Sequence, residues 1–368
     1  MEKELYFYIG TYTEPILFGT GEVMQGKGAG IYLYKMNSSD GSLNFCEAFG
    51  GIPNPSYLAV SPSGKYLYCV NELKQYKGAV SGSVSAFSIE KGTGKLDYLN
   101  TVASQGGDPC YICVNNEETH VFVSNFMTGS VSMLPIDKYG RLKETSCVIQ
   151  HQGGGPHPQR QKGPHAHSVV LDIQNEIAFV PDLGIDKIMV YRIDYQNDDL
   201  IPQDKLHIAG ARGAGPRHCV FNQEGNTLYV INELSLGISV YAYDAVSKSI
   251  QHLQTLDDIK KEGDDHIGAD IDIHPGGRFL YASIRGQDMI VCYEIDAETH
   301  KLRFRSRQGS GGKTPRNFSI EPGGRYLFAG NQDSDVVVVF SIDEQSGDLA
   351  EISRIPIPNP VCIKSIWL

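Results

Sequence analysis

The sequence predicts an all-β fold, a seven-bladed β-propeller, on three observations. One hairpin pattern recurs along the chain, the two chain ends read as halves of one further copy, and no stretch sustains the 3.6-residue periodicity of an amphipathic helix. The clearest copy runs from Pro216 to Glu233, PRHCVFNQEGNTLYVINE. Its apolar runs, Cys219-Val220-Phe221 and Leu228-Tyr229-Val230-Ile231, flank the turn Gln223-Glu224-Gly225-Asn226, as in a β-hairpin. Further copies begin at Pro55, Pro109, Pro164, Gly268 and Pro315, and a partial one at Pro360. The spacing of about 45–55 residues is that of a propeller or repeat array. Two more strand-like runs separate the hairpins, such as residues 237–243 and 249–256, so each repeat supplies the four strands of one blade.

Six hairpins are complete and the seventh is split. Residues 361–368 supply its first strand and residues 5–11, LYFYIGT, its second; residues 30–36 and 43–49 complete that blade. A blade closed by N- and C-terminal strands removes the free sheet edge that would otherwise invite aggregation. The expectation is a single domain over residues 1–368, although length alone would suggest two.

Composition agrees with many short strands joined by turns: of 368 residues, 40 are Gly and 20 Tyr, and one is Trp. The formal net charge of −11 argues against a general nucleic-acid or anionic-membrane surface, though a site can be locally basic. No apolar run approaches the roughly 18–20 residues that span a bilayer. Met1-Glu2-Lys3-Glu4 leads straight into a strand, so no signal peptide is expected. The eight cysteines, at 46, 69, 110, 113, 147, 219, 292 and 362, mostly sit within apolar runs, which predicts reduced thiols in a cytoplasmic protein.

Several stretches could carry chemistry. Residues 14–29 form a long Gly-rich connection that leads into a strand, which suits a rim loop or a lid and not a phosphate cradle at a helix N-terminus. Cys110-Tyr111-Ile112-Cys113 matches C-x-x-C, but strand geometry sends the thiols to opposite faces and no second pair accompanies them. Residues 151–167, HQGGGPHPQRQKGPHAH, admit three readings: a solvated loop, a metal site, or a loop in which only His165 or His167 works at the pore end of a strand. His167 and Asp182 flank the Gln174-Asn175 turn symmetrically, so an Asp-oriented His is expected there. Asp264-Asp265-His266 with Asp270 and Asp272 is an acidic cluster that matches no EF-hand spacing. Residues 309–314, GSGGKT, lack the first glycine of a P-loop and precede a strand.

In each hairpin the start of the first strand and the end of the second share one face near the axis. Arg217 and Glu233, for instance, lie equally far from Gly225. Applied to every repeat, this rule yields a ring of Tyr12, Glu72, Asn125, His167 with Asp182, Arg217 with Glu233, Arg285, and Arg316 with Asn331. Arg suits planar carboxylate or phosphate, and His or Glu suits proton transfer. The competing reading is a network of salt bridges that only ties blades together.

The chain resembles the propeller-type 6-phosphogluconolactonase family, relatives of the fungal carboxy-muconate lactonizing enzyme. The resemblance rests on IGTYT at 9–13, NPSYLAVSPSGKYLYCVNE at 54–72, GPHAHSVVLD at 163–172, GPRHCVFNQEGNTLYVINE at 215–233, FLYASIRG at 279–286 and PRNFSIEPGGRYLF at 315–328. It implies a seven-bladed propeller and lactone chemistry without cofactor or obligatory metal. Its functional positions fall on His167, Arg217, Glu233 and Arg285. The family usually has Ser-Asn-Arg where this chain has Ser283-Ile284-Arg285, with Ile284 expected to point away from the arginine.

The function this implies is hydrolysis of 6-phospho-D-glucono-1,5-lactone in the pentose phosphate pathway. Either His167 or Glu233 would be the general base and the other the proton donor, with Arg217 and Arg285 facing oxyanion or phosphate. His165, Asp182, Arg316, Glu72 and Asn331 are expected to bind substrate. The expected partner is a small anionic sugar lactone, with neither nucleic acid nor membrane, and the protein a monomer or weak homodimer. The alternatives are lactonization or isomerization of a dicarboxylate such as a muconate, and a non-enzymatic binding platform; the absence of WD-type signatures weakens the second.

Overall fold

A computed structural model describes residues 4–18, 21–263 and 265–368. Seven antiparallel sheets are arranged as the repeats predict, and six of them have four strands each. Blade 1 is the closing blade, in which Pro360–Trp367 pairs with Leu5–Thr11, followed by Ile31–Met36 and Leu43–Phe49. Blades 2, 3, 5, 6 and 7 begin at Pro55, Pro109, Pro216, Ile267 and Pro315. Blade 4 departs from the pattern: its first strand shrinks to Val170–Leu171, and a fifth strand, Ile208–Ala209, joins the sheet. A small hairpin, Ile16–Leu17 with Val23–Met24, lies within the long first connection.

The second strand of each blade is the most buried. All six residues of Thr227–Asn232, Ile177–Asp182 and His120–Asn125 are buried. Apolar faces of adjacent blades make the core; Tyr229 and Ile231 of blade 5 pack with Leu280 and Ala282 of blade 6 in one cluster. A tyrosine in this strand ties one blade to the next. The hydroxyls of Tyr8, Tyr68, Tyr229 and Tyr281 donate to Gly94, Gly140, His300 and Gly347 carbonyls, at 2.6, 3.2, 2.9 and 2.8 Å. Each hydroxyl thereby finds the partner its burial demands.

A second repeated feature shapes the axis. In the hairpins of blades 2, 3, 5 and 7 the register shifts just after the first paired residue, for example between Pro216 and His218 opposite Asn232, and in blade 6 it shifts after the second, Gly268. The extra residue is a bulge, and a bulge re-aims its side chain. Ser56, Cys110, Arg217, Ala269 and Arg316 occupy this position. In blade 4 the Ala166–Asp182 bridge puts His167 in the equivalent place.

The last residue of the second strand is usually Asn or Asp, and it serves the backbone. Asn71 donates to the Pro53 carbonyl at 2.9 Å, Asn331 to the Ser310 carbonyl at 3.0 Å, and Asn232 to the Gly237 carbonyl and Ser239 Oγ, both at 3.1 Å. Ile284 holds this position in blade 6, fully buried in the core and pointing away from Arg285. Replacing Asn232 by Ala is expected to cost about 1–3 kcal/mol by stranding those partners. Urea denaturation would show a lowered midpoint with an unchanged slope; an unchanged midpoint would refute the structural role.

Candidate active site

The bulge residues and the residues just after each second strand converge at one end of the axis. They form the floor of a cavity of about 490 Å³, lined by Glu72, Cys110, Phe126, His167, Glu233, Arg285 and Arg316. Its upper wall includes Phe18 from the first connection, Arg160 from the 151–167 loop, and Asp265, Asp288, Lys313 and Asp333.

Glu233 organises one side of the floor. Its Oε2 accepts from Arg217 Nε at 2.9 Å and from Arg285 Nη2 at 3.0 Å, and its Oε1 accepts from Arg160 Nη2. Arg285 also donates to the Gly268 carbonyl at 3.2 Å, and Arg217 Nη1 donates to the Ala269 carbonyl. Burial alone would push the Glu233 carboxyl up. Arg160, Arg285 and Arg217 outweigh it and hold Glu233 well below the usual carboxylate range. Burial pushes Arg285 down to about 9, against the pull of Glu233. At neutral pH the cluster is therefore one anion among three cations.

His167 stands beside this cluster. Its Nδ1 lies 3.7 Å from Cys110 Sγ, and its ring meets Phe126 and His218 edge-to-face at 5.5 and 5.2 Å. Burial first, then Arg217, His218, Arg316 and Arg285, hold it well below its ordinary value of 6.5. It is thus a neutral imidazole. Burial keeps Cys110 a thiol, pushing it well above 9.0.

Glu72 faces a different environment. Its Oε2 accepts from the Tyr12 hydroxyl at 2.9 Å, and Arg316 Nη2 lies 3.8 Å from the same oxygen. The Arg316 guanidinium sits over the rings of Tyr12 and Phe18, at 5.5 and 5.8 Å from their centroids. Burial raises the Glu72 carboxyl above its ordinary 4.5; Asp108 adds to that, while Arg316, Ser56 and Tyr12 oppose it.

Four expected site residues, and Asn125 of the expected ring, lie outside the lining. Arg217 is 1 % exposed, beneath Glu233. His165 stacks on Phe126 at 4.6 Å and bonds the Phe126 carbonyl through Nδ1 at 2.9 Å. Asn331 and Asn125 belong to the ring of strand-end residues, Asn331 serving backbone and Asn125 donating to the Ser130 and Ser132 hydroxyls at 3.1 and 3.0 Å; both lie one residue before the axial position, which Gln332 and Phe126 occupy instead. Asp182 belongs to the same ring and does not orient His167. Its carboxylate accepts from His151 Nδ1 at 2.6 Å and from the amides of His165 and Gly184 at 2.7 and 2.9 Å. Hairpin symmetry placed the two backbones together correctly, but the His167 amide meets the Pro181 carbonyl, and Asp182 turns to the 151–167 loop.

That loop is pinned rather than freely solvated. Besides Asp182, Gln161 Nε2 donates to the Leu183 carbonyl at 2.8 Å and to Asp186 at 2.6 Å. Neighbouring Arg160 is thereby delivered to Glu233, a contact that strand periodicity could not reveal. Lys313 and Thr314 of the GSGGKT stretch reach the cavity wall as well. Of the acidic cluster, Asp264 lies outside the described residues, Asp265 lines the mouth, and Asp270 accepts from His218 Nδ1 at 2.8 Å. Among the described residues no group of three or more His, Cys, Asp or Glu is arranged to hold a metal ion.

Comparisons with known proteins agree with this architecture. The family model described as lactonase, 7-bladed beta-propeller, matches residues 6–365. The chain is 30% identical over 359 residues to the 6-phosphogluconolactonase of Bacillus subtilis (strain 168), covering 97% of each chain. It is 33% identical over 297 residues to that of Formosa agariphila, covering 79% of this chain and 82% of the relative. The solved periplasmic gluconolactonase of Pseudomonas aeruginosa superposes with a TM-score of 0.89 at 31% identity, covering 98% of this chain and 99% of the other. This protein belongs to the lactonase family of seven-bladed β-propellers.

Proposed function

We propose that this protein hydrolyses 6-phospho-D-glucono-1,5-lactone to 6-phosphogluconate, the reaction named for its relatives from Bacillus subtilis and Formosa agariphila. The observation that carries the reading is a neutral His167 on the floor of a cavity that also presents Arg285 and Arg316. Lactone hydrolysis needs an activated water and cations where the tetrahedral oxyanion develops.

In this reading His167 is the general base. Glu233 is fixed as an anion, so it has no proton to donate, and both its oxygens are occupied by guanidiniums. It holds Arg160, Arg217 and Arg285 in place. Arg285 and Arg316 take the oxyanion, since both line the cavity whereas Arg217 lies buried beneath Glu233. The same positive field that keeps His167 neutral is offset as the oxyanion forms, so the imidazole becomes more basic when it must take the proton. Lys313 on the cavity wall is the cation placed for the phosphoryl group. The eight free cysteines suit a reducing compartment, in line with a cytoplasmic pentose phosphate role.

Three measurements test this. Freshly generated lactone, followed at neutral pH with the spontaneous rate subtracted, should be consumed faster with protein than without. The absence of acceleration by folded protein would refute the substrate assignment. His167→Gln should lower kcat by about 10²–10⁴-fold with the fold intact. For the pH dependence, the base works only when unprotonated, so on the acid side kcat/KM should climb with pH through the depressed His167 value. The acid limb should therefore lie below 6.5; an inflection at or above 6.5 would remove His167 from the role.

A further inference from the structure

With Glu233 held as a carboxylate, the reading above has a base but no acid for the ring oxygen that leaves. Besides Glu233, two buried carboxyl groups line the cavity, Asp108, which is paired with Lys74, and Glu72; the surroundings of Glu72 differ from those of Glu233 in each respect that matters. Glu233 is contacted by three guanidiniums, whereas Glu72 has one, Arg316, at 3.8 Å. The anion Asp108, itself paired with Lys74, acts on Glu72 from blade 3. The remaining polar neighbours are uncharged: Tyr12 from blade 1, Ser56 from the bulge of blade 2, and the Cys110 thiol. The Tyr12 hydroxyl donates to Oε2. While the Tyr12 hydroxyl donates to Oε2 as to a carbonyl oxygen, the proton of a neutral Glu72 sits on Oε1. Oε1 carries no hydrogen bond from the described residues and is not a sealed orphan atom, and the residue lines the cavity.

We propose that Glu72 is the proton donor to the leaving ring oxygen, acting opposite His167 in the lactone hydrolysis inferred above. The step balances as follows. Water oxygen bonds to the lactone carbonyl carbon while His167 takes a water proton. The tetrahedral intermediate then breaks its bond to the ring oxygen; the electron pair goes to that oxygen, which takes the proton from Glu72 Oε1. The products are a carboxylic acid and a hydroxyl, and the enzyme is left with protonated His167 and ionised Glu72. Passage of one proton from the first to the second through cavity water restores it. Tyr12 is a positioning residue that sets which oxygen carries the proton, and Arg316, besides facing the oxyanion, stabilises the carboxylate that remains.

The test compares Glu72→Gln with the natural chain on two lactones. One is an aliphatic δ-lactone, whose alkoxide leaves only with a proton; the other is dihydrocoumarin, whose phenoxide leaves without one. Glu72→Gln should lower kcat on the aliphatic lactone by about 10²-fold or more with little change in KM, and should largely spare dihydrocoumarin. It should also abolish the fall in rate on the alkaline side, because a donor is lost as pH rises through its own value; Glu72→Asp should keep that fall. Equal losses on both lactones, or no loss on either, would overturn the proposal. If the natural chain hydrolyses neither, an infrared difference titration judges Glu72 directly, and the lactone reading fails only if the phosphorylated sugar lactone is left unhydrolysed as well. A protonated-carboxyl band persisting above pH 4.5 and absent from Glu72→Gln supports it. A carboxyl already ionised below pH 4.5 overturns it.

Discussion

The axial end of this propeller depends on one buried carboxylate. Glu233 is 1 % exposed, and three guanidiniums reach it from three places: the 151–167 loop, the bulge of blade 5 and the end of a strand in blade 6. A lone buried charge is costly, and it is tolerated where partners and hydrogen bonds fill its valences. Here the dependence is mutual. Without Glu233 three cations would crowd one another in a region shielded from water, and with it they are held at fixed positions. The group still carries an excess of positive charge, although the chain as a whole is strongly acidic. A floor that is locally cationic in an anionic protein is electrostatically suited to an electron-rich or anionic group at the axis.

That local field also separates two carboxyl groups and an imidazole that would otherwise titrate close together. Near the cluster, His167 loses its proton readily and Glu233 cannot regain one. Across the floor, where one arginine faces Glu72 and Asp108 works against ionisation, the carboxyl holds its proton to higher pH. Environments that push titratable groups apart are what acid–base chemistry at one pH requires. The separation here comes from which blade supplies which neighbour, and not from any difference in residue chemistry between the two glutamates.

How much of this was legible in the sequence follows from the repeat. Seven copies of one hairpin revealed the propeller and its closing blade, because period-2 patterning and turn residues recur visibly. They revealed Glu72, Glu233, Arg285 and Arg316 as axial for the same reason. The ring was misread by one residue in three blades, where Asn125, Asp182 and Asn331 were taken in place of Phe126, Leu183 and Gln332. A one-residue slip exchanges the faces of a strand. The bulge after the first pairing hides that slip, since it makes hairpin symmetry agree with either register. Asn at the strand end looks like a ligand-binding residue, yet its amide is spent on loop carbonyls or serine hydroxyls. Arg160 was invisible because loop geometry has no period; its place depends on the long-range contacts of Gln161 and on the buried His151–Asp182 pair.

The division between strand-borne and loop-borne groups has a chemical consequence. The proposed proton-transfer and oxyanion groups, His167, Glu72, Arg285 and Arg316, sit at the bulge positions or strand ends of blades tied by tyrosine hydroxyls and apolar packing. Such groups cannot drift with a mobile segment, and orientation fixed before substrate arrives is where much of the rate of a hydrolase originates. Phe18, Arg160 and Lys313, by contrast, come from connections between strands. These form the mouth, where the part of the substrate remote from the carbonyl would lie. Relatives that share the floor but differ in these connections can therefore share a reaction and differ in the lactone they accept, which fits a family whose members are named for both phosphorylated and unphosphorylated sugar lactones.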